Sequence, residues 1–240
     1  MEYSASKTIL RFKEGYWCKS AFLQKGPPLQ ICKLLAENKS QTFQHHQNMY
    51  NQILKQLSLF ISLDKSEEMF FLSKLIFKTY KKKELILQEG EVCKYAYFIN
   101  SGCLRYYHTV DGQENTAQFF FENGWYTDYN SFLTGSPSNQ NIETLEKSEL
   151  LLMSAKDLQE LYVAIPKFER FGRIMAENAF LGIRQRSEML KNQTAEERYL
   201  TLMNERPKVF ERIPQHYIAS YLGIKPPSLS RIRKRIFIKK

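Results

Sequence analysis

Apolar residues in the stretch MYNQILKQLSLFISLDKSEEMFFLSKLIF, which opens at Met49, recur at helical spacing, and Asp64 and Ser66 sit at a break where a helix can be capped. From Lys82 to about Ser154 the pattern changes to short β-rich runs, ELILQ, YAYFI, CLRYYHT, TAQFFF and SELLLM, with turn residues between most of them at Gly90, NSG, DG and ENG. Asp111-Gly112 is the clearest hairpin mark, because a two-residue hairpin turn needs positive φ at both central positions. Several short strands at this spacing predict a small antiparallel barrel or roll. After Pro166 the period returns to that of a helix, in KFERFGRIMAENAFLGIRQRSEMLKN. At about 1.5 Å per residue this helix reaches roughly 40 Å. Its apolar stripe through Phe168, Phe171, Ile174 or Met175, Leu181, Met189 and Leu190 is a candidate seam for pairing with a second copy, with packing onto the roll as the alternative. Thr194 opens a capping box, TAEE, ahead of a helix that Pro207 closes. Residues 1–48 lack sustained periodicity and end in the polar run ENKSQTFQHHQN, so they are expected to be an accessory or disordered extension, with Met49 a sensible first residue.

The tail has the internal logic of a helix-turn-helix. Numbered from Gln215, Ile218 falls at position 4, Ala219 at 5, Leu222 at 8, Gly223 at 9, Ile224 at 10, Leu229 at 15 and Ile232 at 18. Position 5 must be small where two helices cross, and position 9 favours glycine because the tight turn needs positive φ. Pro226 suits the first turn of the second helix, where its missing N–H costs nothing. That helix would expose Ser228, Ser230, Arg231, Lys234 and Arg235, with Arg233 close by. Arg231 is expected on a base edge, Lys225, Arg233, Lys234 and Arg235 on phosphates, and the two serines on either. Gln215, His216 and Pro227 complete the predicted DNA-contacting set.

Charge sharpens this reading. The net +10 of the 240 residues is matched by residues 164–240 alone, with 17 basic and 7 acidic groups, and Lys225 to Lys240 holds seven basic residues and no acid. A basic end on a weakly acidic middle suggests a sensor coupled to a polyanion binder. The four cysteines, Cys18, Cys32, Cys93 and Cys103, form no CxxC pair and read as free thiols. The four histidines form no HxH or HExxH, so no metal site and no catalytic residue is predicted. No secretory signal and no apolar run long enough for a membrane span is present, which places the chain in the cytoplasm.

On RIPQHYIASYLGIKPPSLSRIRKRI and EGEVCKYAYFINSGCLRYYHTVDGQENTAQFFFENGW the chain resembles the Crp/Fnr family of bacterial transcription regulators, in a branch common in Bacteroidetes. The resemblance covers roughly Met49 to Lys240 and implies an α+β fold. Its parts are a cyclic-nucleotide-binding-like antiparallel β-roll (a double-stranded β-helix) at 49–163, a dimerisation helix at 164–192 and a winged helix-turn-helix at 193–240. It implies a homodimer on a palindromic operator of double-stranded DNA, with RNA polymerase as a further partner.

Family members that bind cyclic AMP carry a cassette in which a glutamate takes the ribose hydroxyl and an arginine pairs with the cyclic phosphate. The matching segment here, WYTDYNSFLTGSPSNQNIETLE, puts Asp128 at the glutamate and Ser138 with Asn139 at the arginine-serine pair. The arginine is gone, which reads against cyclic AMP. The cysteines do not supply the cluster that oxygen sensors of the family use, so no Fe–S cofactor is expected. Another small ligand in the roll would meet Trp125, Asp128, Phe132, Ser138 and Asn139, although aromatics at strand spacing are more often core. Two other functions compete with a regulator: a cupin-like metal enzyme, for which the roll offers His108 alone, and a ligand-sensing module acting through protein contacts, which the basic tail opposes.

Overall fold

The computed structural model describes residues 41–238; the expectation for the extension lies outside them apart from 41–48, whose backbone is helical. Helix α1 (Gln41–Leu57) runs through Met49 without a break, so no element starts there. Helix α2 (Lys65–Ser73) begins where the sequence places a cap. The Asp64 carboxylate accepts the backbone N–H groups of Ser66 and Glu67, and Glu67 returns to the Asp64 N–H at 2.8 Å, which satisfies donors a helix start leaves open.

Eight antiparallel strands follow: β1 (Ile76–Tyr80), β2 (Leu85–Leu87), β3 (Tyr95–Ser101), β4 (Leu104–Val110), β5 (Gln113–Phe120), β6 (Trp125–Tyr126), β7 (Asn141–Thr144) and β8 (Ser148–Ser154). They form two facing sheets in the orders β1-β8-β3-β6 and β2-β7-β4-β5, which is the predicted roll. Period-two alternation assigns each strand residue a layer. Tyr97, Ile99, Leu150 and Leu152 point between the sheets toward Leu104 and Ile142. Phe98, Leu151 and Met153 point outward, under a helical layer that includes Ile53, Phe71, Leu161 and Phe168. Asp111 and Gly112, at φ 51° and 73°, make the hairpin turn between β4 and β5. The five runs read as strands fall on β2, β3, β4, β5 and β8. In contrast, β1 begins in the last two residues, Ile76 and Phe77, of the stretch read at helical spacing and runs past its end, and β6 and β7 gave no pattern.

Helix α3 (Tyr129–Thr134) crosses between β6 and β7, and α4 (Ala155–Ala164) leads to α5 (Lys167–Asn192), the long helix on its predicted residues. Its apolar stripe divides. Phe168 and Phe171 are buried on the roll and Met189 packs against the C-terminal helices, while Phe180, Leu181, Ile183 and Leu190 stay exposed. Four helices complete the fold: α6 (Ala195–Glu205), α7 (Lys208–Arg212), α8 (Gln215–Tyr221) and α9 (Pro226–Ile238). Thr194 caps α6 with the expected box, and Pro207 separates α6 from α7. The expected wing is not found: among the described residues every named strand belongs to the roll, and the C-terminal region is helical throughout. From His46 onward the chain forms one compact unit.

Candidate nucleic-acid interface

The helix-turn-helix is built on the spacing read from the sequence. Ala219 is fully buried where α8 meets α9, and Gly223 has φ +67°, a left-handed conformation that side chains strain. The Ile224 N–H bonds back to the Ala219 carbonyl at 3.0 Å and closes the turn. Ile218, Leu222, Leu229 and Ile232 fill the space between the two helices. With these inside, α9 turns Pro227, Ser230, Arg231, Lys234 and Arg235 to solvent, with Lys225 exposed just before it and Ser228 and Arg233 half-buried. Gln215 and His216 are exposed at the start of α8. Arg235 is drawn aside by Glu196, Nη1 to Oε2 3.0 Å. The remaining cations of α9 form a basic face at the surface.

The opposite face of α8 docks on the roll, through residues that sequence reasoning did not single out. The Ser220 hydroxyl donates to the Glu114 carbonyl at 3.0 Å and accepts from the Thr116 N–H at 2.9 Å, which satisfies the outer edge of β5 as a neighbouring strand would. Arg105 on β4 is 1% exposed, its guanidinium 3.8 Å from the Tyr107 ring centre and 3.9 Å from that of Tyr217 on α8. Its Nη2 lies 2.5 Å from Glu114 and its Nε 2.7 Å from Glu143, the latter a close ion pair rather than an aligned hydrogen bond.

Arg206 reaches the Phe119 carbonyl at 2.5 Å and the Gln118 side chain, and Arg212 is held by Glu122 at 2.6 Å and by Glu146. Burial alone would raise the Glu122 carboxyl, yet the hydrogen bonds and charge of Arg212 outweigh it and hold the group below its ordinary value. The last carbonyls of the α8 turn also have cationic partners, Tyr221 from Arg186 and Leu222 from Arg198 at 2.9 Å.

The five predicted ligand residues separate into two pairs and a lone Asn139. Asp128 and Ser138 are buried and bond to each other, Oγ to Oδ2 2.5 Å, while Asp128 also caps α3. Ser131 ties the same loop down, accepting from the Cys93 N–H at 2.8 Å and donating to the Ser136 carbonyl at 2.6 Å. No lysine or arginine occurs from Thr127 to Asn141, so this segment offers no cation to pair with a cyclic phosphate. Asn139 is exposed. Trp125 and Phe132 line a separate cavity beside α5. Cys93 and Cys103 are buried free thiols, and burial pushes Cys103 up to about 12, which suppresses thiolate chemistry.

Residues 77–164 match the family model of the cyclic nucleotide-binding domain. Solved structures match a larger share of the chain. FixK2 from Bradyrhizobium japonicum is 19% identical, with 69% of this chain and 85% of that one covered at a TM-score of 0.61. A chain from Eubacterium rectale described as a transcriptional regulator of the crp/fnr family is 16% identical, covering 74% and 85% at 0.59. The chain is Crp/Fnr-type in fold. CLP of Xanthomonas campestris, described as a c-di-GMP responsive global regulator, shares it at 16% identity, with 73% and 93% covered at 0.58. No curated protein matches the chain. No helix of its described residues is long and apolar enough to cross a membrane.

Proposed function

We propose that the chain is a transcriptional regulator that binds a palindromic DNA operator as a homodimer. The observation that carries this reading is the solvent-facing basic surface of α9, on a helix pair whose crossing point is Ala219 and whose turn is Gly223. Such a helix enters the major groove with its N-terminal half, so Arg231 reaches base edges while Lys225, Arg233 and Lys234 meet phosphates.

The second subunit is expected along α5. Ala176, Phe180, Ile183, Ser187 and Leu190 follow the alternating four-three spacing of a coiled-coil seam. Phe180 and Ile183 are 65% and 69% exposed in the single chain. A two-fold pair would set the recognition helices on half-sites about 34 Å apart. Contact with RNA polymerase at a promoter and a place in the cytoplasm belong to this same reading.

The self-bonded Asp128 and Ser138 favour a regulator that does not respond to cyclic nucleotides. A metal enzyme in the roll has no support, since the described residues include no group of three or more histidines, cysteines or carboxylates placed to hold an ion. Selection of bound sequences from random duplex DNA is the test. It should return an inverted repeat, and Arg231→Ala should weaken binding to it by about 1–3 kcal/mol, with relaxed preference at one position per half-site. Equal protection of the same sequence by the variant would remove Arg231 from its assigned role, and the absence of any enriched sequence would refute the regulator.

A further inference from the structure

On the outward side of the β1-β8-β3-β6 sheet, α4 and the first turns of α5 stand away from β6 and α3, leaving a cavity of about 470 Å³. Its wall includes Trp125, Phe132, Met153, Tyr162, Phe171 and Met175. One side of the cavity is the outer flank of the cassette segment, Trp125 to Leu133, and not the bonded pair Asp128 and Ser138. Met153 and Trp125 belong to the outward layer with Phe98, whereas Leu150 and Leu152 face the roll interior, and neither Asp128 nor Ser138 reaches the cavity wall. Its size is that of small-molecule sites, which run from about 300 to 1,000 Å³.

The chemistry of the wall selects its occupant. Aromatic rings already meet there at an angle, Trp125 with Phe171 at 6.0 Å and 67°, an arrangement that extends naturally to one more ring. Two thioethers add polarizable contacts that suit an aromatic edge. Burial raises the phenols of Tyr129 and Tyr162 above their ordinary range, so both are neutral at physiological pH. The charged groups in the wall are Glu169 and Arg173, and Arg173 is already paired with Glu177 at 2.6 Å, so the wall offers no unpaired cation to an anion. The wall is also closely built: a Cβ at Gly172 would meet the Tyr162 phenol, so the glycine is what lets that ring lie against α5 here.

We propose that this outer cavity is a binding site for a neutral, flat aromatic small molecule. Bound there, it would bridge α5 to the β6–α3 segment and bear on the helix expected to pair the subunits. Binding itself does not depend on the DNA reading.

The chain holds two tryptophans, Trp17 and Trp125, so a Trp17→Phe protein reports through the cavity residue alone. Titrated with N-phenyl-1-naphthylamine, it should bind one probe per chain, with energy transfer from Trp125. Ala176→Phe and Ala96→Phe both project into the cavity and should each weaken binding at least tenfold. Val163→Ser, on a residue 86% exposed and outside the wall, should leave it unchanged. The proposal is overturned if the folded protein takes up no probe, if bound probe receives no energy from Trp125, or if both filled variants bind as before. It is overturned equally if probe is expelled as rising protein concentration drives dimer formation, since a second copy would then occupy the cavity. The transfer measurement decides the matter without a variant should either filled protein fail to fold, and none of these outcomes touches DNA binding.

Discussion

Truncating Arg105 to alanine should destabilise the whole unit by about 4 kcal/mol, far more than a typical strand substitution. The largest contribution is the carboxylate left behind. The Glu143 side chain is 10% exposed, and breaking a buried pair from one side costs about 3–5 kcal/mol because the remaining charge has no compensation. Glu114 is half exposed, so its share is about 0–1 kcal/mol. The stacked contacts with Tyr107 and Tyr217 are worth about 0.5–2 kcal/mol each, but they vanish in the same truncation and are not fully additional. The cause can be isolated. Arg105→Met combined with Glu143→Leu removes both charges and should return stability to within about 1 kcal/mol of the parent, or above it. Equilibrium urea unfolding followed by far-UV circular dichroism, with m-values checked for a common unfolded state, reads both quantities. A loss below about 1 kcal/mol in Arg105→Ala, or a double variant as unstable as the single one, would refute the claim that Arg105 stabilises the fold by compensating the Glu143 carboxylate.

Ile183→Glu should leave the single chain as stable as before within about 0.5 kcal/mol, because the residue is exposed there, yet convert the proposed dimer to monomer in light scattering; a stable dimer would place the subunit seam elsewhere. The Glu122–Arg212 pair makes stability pH-dependent with a definite sign. The folded-state carboxyl lies below its ordinary 4.5, so the contribution is complete above 4.5 and lost as the pH falls through the lower folded value; Glu122→Gln should flatten this part of the acid unfolding curve, and an unchanged curve would exclude the pair as its source.

Much of the architecture was legible because local rules and tertiary structure agree. Asp111-Gly112, Asp64, Thr194 and Gly223 each impose a backbone conformation that needs no distant partner, and each marks a turn or helix start in the structure. Strand β1 was missed for the opposite reason. Its first residues, Ile76 and Phe77, continue the apolar spacing of the preceding helix, and pairing with β8, Ile76 to Leu152 through Tyr80 to Ser148, makes it a strand. Strand β7 carries Asn141, Glu143 and Thr144, polar residues that are buried because neighbouring strands and Arg105 satisfy them, so no alternation could reveal it.

The same reasoning explains why the docking of α8 stayed hidden and why it matters. Arg105 and Tyr107 alternate with the inward Leu104 and Tyr106, as on a strand with one wet face, and nothing nearby signals that Tyr217, 110 positions later, covers them. The contact leaves the exposed residues of α9 free, so it does not work by hiding the recognition surface. Instead it fixes the direction in which that surface points relative to the roll, through one edge hydroxyl, one stacked guanidinium and the Arg206 and Arg212 clamps. A dimer on two half-sites requires both recognition helices at a set separation and angle. If the chain binds an operator as proposed, the polar contacts that seat α8 on β4 and β5 are therefore as much a condition of that binding as the basic residues of α9.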